Sequence, residues 1–180
     1  MNGQRELRIP QDALEQPDSR TTIQFDFSTI LRGVTNYAGI ETAIKGAVDV
    51  MKERGVKHIG FVSGPVGSSE TDRDKRSEEI KANMDRMEEC TKALHKKHKF
   101  PIFSSTDIFR TVWKELEETK LPSLERSDQM KILFRGILKN CGVTDIFMME
   151  GWKESGGAVD EYVNAKHFGI AIHVLEEQSE

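Results

Sequence analysis

Residues 144–175, TDIFMMEGWKESGGAVDEYVNAKHFGIAIHVL, read as a strand, a loop, a helix and a second strand. TDIFMM (144–149) and GIAIHVL (169–175) are short, continuous apolar runs, as strands covered on both faces require. Between them Gly156 to Phe168 is predicted to be a helix. Two strands joined through a helix pair in parallel by a right-handed crossover. A plain connector, however, needs neither Ser155 with Gly156 and Gly157 at the helix start nor a carboxylate, Glu161, in its second turn.

The same alternation extends upstream. HIGFVS (58–63) reads as a buried parallel strand ending in Gly64-Pro65, and FPIFSS (100–105) as another. Ile40, Ile44, Ala47, Val48 and Met51 recur at helical spacing, and Arg54-Gly55 closes that helix with a basic residue and a glycine. A long charged helix is predicted over 71–97, with Ile80, Met84, Met87 and Leu94 inward, and further helices over 107–118 and 127–140. In TTIQFDFSTI, Ile23, Phe25 and Phe27 alternate as on one face of a strand. The fold class that follows is α/β: an open, mostly parallel sheet with helices on both faces, a flavodoxin- or Rossmann-like three-layer sandwich. The chain divides into a flexible tail (1–20), an extension with a strand and an amphipathic helix (21–56) and an α/β region (57–176), one domain overall.

Composition narrows the function classes. With 180 residues the chain can bury roughly 70% of its unfolded surface and needs no staples. A formal charge of −4 argues against a nucleic-acid binder, which is usually basic. Two cysteines, Cys90 and Cys141, both in helical stretches, read as reduced thiols. No apolar run reaches membrane-spanning length, and the opening MNGQRELRIPQD lacks a signal-peptide core. A cytoplasmic protein without membrane contact is the expectation.

In open α/β sheets ligands sit at the carboxyl ends of the strands. Three groups fall there: Ser63-Gly64-Pro65, Ser104 to Asp107, and Glu150 to Gly157. Asp128, opening a helix that runs back from that edge, joins them, whereas Asp145 begins its strand and is structural by position. Ser155 suits an N-cap, and the free amides behind it, at the positive end of the macrodipole, make an anion site. Glu161 lies about 9 Å further along the helix axis, and helical side chains lean back toward the N-terminus. That spacing suits a ligand with a phosphate at one end and a reacting carbon at the other. The dipole would favour an ionised carboxylate, the state a nucleophile needs. The plainer reading of these residues is a common serine cap, glycines fitting a tight turn and a favourably placed acid; from the residues alone the two readings are evenly matched.

HIGFVSGPV (58–66) together with GWKESGGAVDEYVNAKHFGI (151–170) resembles the nucleoside 2-deoxyribosyltransferase-like superfamily, which includes nucleoside 2-deoxyribosyltransferases and deoxynucleoside 5′-monophosphate N-glycosidases. The resemblance spans roughly residues 57–175 and rests on Phe61 and Gly64, then Asp145, Ser155, Gly157 and Glu161. It implies that Glu161 attacks the anomeric carbon of a (deoxy)ribosyl group, and that water or a second base resolves the glycosyl-enzyme. The leaving base needs a proton from a second acid. The family's Asp is expected eight residues before Asp145, where this chain has Ile137; Asp128 is the substitute and Asp107 the next candidate. Serine at 155, neutral and beside bare amides, suits a 5′-phosphate where an Asp would repel it. Phe61 replaces a frequent tyrosine, keeping a stacking wall and losing a hydroxyl that could order Glu161. Ser63, Gly64, Pro65, Trp152, Gly156 and Gly157 complete the expected substrate contacts, with packing an equal explanation for Trp152. The resemblance implies no metal and no cofactor, a small-molecule nucleotide or nucleoside as ligand, and a homodimer or higher homo-oligomer.

Two alternatives stand beside this enzyme. One is a non-catalytic nucleotide-binding sensor using the same anion pocket. The other is a flavodoxin-like carrier with SGPVGSS (63–69) on a flavin phosphate. The same loop lacks the lysine of a P-loop, which removes an ATPase. His95 and His98 read as the cationic end of a helix rather than as metal ligands, and His173 as a packed or edge residue.

Overall fold

The computed structural model describes residues 24–34, 36–67, 73–110 and 123–175. Four parallel strands form one sheet in the order β2-β1-β3-β4: β1 is Gly60–Ser63, β2 Ile102–Ser104, β3 Asp145–Met148 and β4 Ala171–Val174. Gly60 is in register with Ile102 on one side and Asp145 on the other, and Asp145 with Ala171. The helices are α1 (Phe27–Ile30), α2 (Tyr37–Glu53), α3 (Arg73–Lys97), α4 (105–110), α5 (Ser123–Asn140) and α6 (Gly156–Phe168), with a 3-10 turn at Trp152–Glu154.

Strand alternation sorts the side chains into two cores. Phe61, Phe103, Ile146 and Met148 point to one face and meet α2, α5 and α6 through Ile44, Val48, Phe134, Ile137, Ala158 and Ala165. Val62, Ile102 and Phe147 point to the other face and meet α3 through Met87 and Leu94. Helices therefore cover both faces of β1, β2 and β3, which are buried throughout, whereas β4, expected to be covered on both faces, is the edge strand and is largely exposed. From β1 the chain first winds outward to β2, then returns past β1 to β3 and β4. The winding reverses between β1 and β3, and ligands of doubly wound sheets bind outside the carboxyl ends at that point. Gly64, just past β1, is required by close packing: a Cβ there would lie 2.9 Å from Cβ of Met149. Among the described residues no helix is long and apolar enough to cross a membrane.

The N-terminal expectations need correction. TTIQFDFSTI is not a strand where it is described. Asp26 caps α1, accepting from the amide of Thr29 and from the hydroxyls of Ser28 (2.6 Å) and Thr29 (2.7 Å). This local capping outweighs the alternation. Phe25 and Phe27 still reach one core, stacked 5.3 Å apart and both against Phe103. The amphipathic helix of the presumed extension is α2, whose Ile40, Ile44 and Val48 belong to the same core as β1 and β3. The expected tail, 1–20, lies outside the described residues, as do 111–118 of the helix predicted over 107–118. Helix α5 begins at Ser123, not 127.

Candidate functional site

Ser155 caps α6 as expected, its Oγ accepting from the Ala158 amide at 3.3 Å. Gly169, with φ of 72°, closes the same helix in the left-handed region. Between them, neither glycine of the first turn is needed by the fold. Gly156 and Gly157 are outside the positive-φ set. An added Cβ at Gly156 would meet nothing within 4 Å, and at Gly157 only Ser155 Oγ at 3.9 Å. Both are exposed. Each glycine costs a helix roughly 0.5–1 kcal/mol against alanine. A turn requirement therefore does not explain them.

Glu161 is 8% exposed and sits on the inner side of α6, with Ala158 and Ala165. Its Oε2 accepts a hydrogen bond from Ser63 Oγ at the carboxyl end of β1. Ser63 is itself fully buried, held in register with Met148 and accepting from the Met149 amide at 2.8 Å. The carboxyl group thus lies at the switch point between β1 and β3. Phe61 and Ser63, two residues apart on a strand, share a face.

Burial works against the ionised carboxylate that the dipole was expected to favour. Burial pushes the Glu161 pKa up to about 8; the Ser63 hydroxyl opposes this, and the charge of Asp160 adds to it. Glu161 is the sixth residue of α6, beyond the first turn in which the macrodipole acts, so desolvation wins. Asp160, next door, points outward to Arg135 of α5 at 2.8 Å.

Other expected residues fare differently. Phe61 is fully buried, with Phe103 5.2 Å away and Phe134 5.8 Å away, so its ring belongs to the core and walls no cleft. The cause is its direction, into the layer of α2 and α5. Asp107 forms a capping box with Ser104: its Oδ2 accepts from Ser104 N at 2.7 Å while Ser104 Oγ faces the Asp107 amide at 3.3 Å. Asp128 is exposed on α5, seven residues before Arg135. It lies about 10 Å toward the carboxyl edge from the Arg135–Asp160 pair. Ile137, where the resemblance would place an acid, is fully buried. Trp152 stacks on Tyr162 at 4.5 Å, a packing contact with the helix that carries Glu161. Pro65, half-buried, stands beside Gly151 of the β3 exit.

Sequence reasoning undervalued two features. Ser63, expected as a ligand contact, also donates to the Glu161 carboxyl group. Asp145, read as structural, sits between two imidazoles, His58 Nδ1 at 3.1 Å and His173 Nε2 at 2.9 Å, with Thr144 Oγ1 at 2.7 Å. His95 reaches the Ile102 carbonyl at 2.8 Å, and His98 packs at a tilt against Phe100 and Phe147. Among the described residues no group of His, Cys, Asp or Glu could hold a metal ion. A groove of about 360 Å³ between α5 and α6, lined by Ile132, Arg135, Lys139, Asn164, His167 and Phe168, includes none of the expected site residues.

Fold and site together define a doubly wound α/β protein with a buried carboxyl group at its topological switch point. No family model matches the chain, and comparisons with curated proteins and with solved structures found no match.

Proposed function

We propose that the protein cleaves or transfers at the N-glycosidic bond of a (deoxy)nucleoside 5′-monophosphate or nucleoside, with Glu161 as nucleophile. The observation that carries this reading is Glu161 itself, an acid buried at the switch point at an energetic cost and hydrogen-bonded to the end of β1. Perturbed carboxyl groups of this kind cluster at functional sites. The two glycines opening the same helix, which packing does not require, leave backbone amides accessible to the 5′-phosphate.

In the proposed reaction the ionised Glu161 oxygen bonds to C1′ as the C1′–N bond breaks. The bond's electron pair leaves with the base, which takes a proton from Asp128. Water or a second base then attacks C1′ from the opposite side, gives its proton to the Asp128 carboxylate and releases Glu161. With the carboxyl pKa near 8, about a tenth of the molecules carry the attacking form at pH 7. A homodimer and a cytoplasmic setting go with this reading through the resemblance.

The test is incubation with a panel of nucleoside monophosphates and nucleosides while free base is followed by chromatography. Base release that disappears in Glu161→Gln is the expected result; no release from any member sinks the proposal. Adding a second base separates transfer from hydrolysis. A second reading, a nucleotide sensor without catalysis, is favoured by the exposure of Asp128, the expected acid, beside the burial of Glu161. Tight binding without turnover would select it.

A further inference from the structure

We infer that Ser63 is the positioning residue for Glu161, fixing its orientation and helping it ionise from the end of β1. Among the described residues Ser63 provides the one hydrogen bond to this carboxyl group. Its own freedom is small. The side chain is fully buried, and its backbone is locked by pairing with Met148 and by the bond from the Met149 amide at 2.8 Å. Gly64 follows immediately and lets Met149 close over the strand end. The hydroxyl is therefore held by the β1–β3 ladder, whereas Glu161 arrives from a separate element, α6. A donor fixed in one element and an acid carried by another make a contact that folding alone completes.

Chemistry gives the contact a direction. A hydroxyl donating to a carboxylate favours the charged form, and here it opposes the desolvation that favours the neutral one. No other described partner shares that task; the adjacent Asp160 acts the opposite way. Removing the hydroxyl leaves Glu161 buried with no counterweight. The ionised form becomes rarer, and the carboxyl group is free to turn.

Only the consequence for rate rests on the proposed glycosidic reaction; the effect on Glu161 does not. The test therefore has two readouts on the full chain. In the first, protein labelled with glutamate carrying ¹³C in the side-chain carboxyl is titrated by NMR from about pH 5 to 10, with Glu161 assigned from the signal lost in Glu161→Gln. Ser63→Ala should raise the Glu161 midpoint by about one unit or more. Ser63→Thr, which keeps the hydroxyl, should return it close to the wild-type value. In the second, base release at pH 7 should fall about tenfold in Ser63→Ala, with the part of its pH profile governed by Glu161 ionisation displaced upward by the same shift as the NMR midpoint.

An unchanged midpoint in Ser63→Ala overturns the inference. So does a Ser63→Thr protein that folds but titrates like Ser63→Ala, because volume rather than the hydroxyl would then be responsible. A shifted midpoint in a protein that releases no base with any substrate supports the role of Ser63 and overturns the glycosidic reading alone.

Discussion

Asp145 and Glu161 have the same fractional exposure, 8% each, at opposite edges of one sheet, yet the Glu161 carboxyl group is enclosed more deeply and their surroundings drive them in opposite directions. For Asp145 burial raises the pKa, but hydrogen bonds from His173, Thr144 and His58 together outweigh it and hold the carboxyl below its ordinary 3.8. For Glu161 the single Ser63 hydroxyl does not outweigh burial, and the pKa climbs to about 8. Equal surface exposure therefore does not fix the charge of an acid; how completely its carboxyl group is desolvated and which donors surround it decide together. One edge ties β1, β3 and β4 together through a satisfied carboxylate. The other gives its carboxyl group a single donor among the described residues, the Ser63 hydroxyl.

The sharpest way to break this contrast is Glu161→Gln. Loss of the attacking oxygen should lower base release by at least about a thousandfold, whereas Asp145→Asn in a folded protein should leave it within a few fold. Steady-state assays on both variants check this. Unaltered release in Glu161→Gln would place the chemistry elsewhere.

Stability should move the other way. Folded Glu161 keeps a proton that the unfolded chain, with a pKa near its ordinary 4.5, has already released. Its contribution is complete below about pH 4.5 and falls by up to about 1.4 kcal/mol per pH unit until about pH 8. Glu161→Gln has no such loss, so its stability relative to wild type should grow by on the order of 3 kcal/mol between pH 5 and 8. Urea denaturation across that range reads the difference, and parallel curves would refute it.

Asp145 gives the converse sign at a smaller size. Its depressed pKa means that its stabilisation is present above about pH 4 and lost as the pH falls through the lowered value. Asp145→Asn should cost about 1–2 kcal/mol at pH 7, a modest loss because the His58 and His173 side chains are 60% and 44% exposed and water screens both contacts. The smallest change is expected at Gly156. Replacement by alanine should stabilise the protein by about 0.5–1 kcal/mol while raising KM for 5′-phosphorylated substrates several-fold. Thermal denaturation and substrate kinetics test the two halves. A stabilised variant with unchanged KM would separate the glycines from the phosphate.

Much of the fold was legible because β1, β2 and β3, buried on both faces, leave strong signals, while the exposed edge strand β4 was found from its apolar run alone. HIGFVS, FPIFSS, TDIFMM and GIAIHVL each contain a strand of the sheet. Ser155 and Gly169 mark the ends of α6 for local reasons, a capping oxygen and a left-handed glycine. TTIQFDFSTI misled because alternation over a few residues is weak beside an aspartate that satisfies an amide and two hydroxyls nearby. At the site, Glu161 was visible from its spacing to Ser155. Its ionisation was not, since desolvation depends on what covers the helix. Phe61 looked like a ligand wall because a strand end was all the sequence displayed; Phe103 and Phe134, distant along the chain, enclose it.

By itself the sequence determined the alternating strands and helices, the cap of α6 and the presence of an acid two turns inside it, all consequences of short-range stereochemistry and periodicity. Only the tertiary structure decided that α2 joins the main core, that Ser63 meets Glu161 across 98 residues of chain, and that this acid holds its proton near neutrality. Those outcomes depend on which surfaces exclude water, and that is set by contacts between segments far apart in the chain.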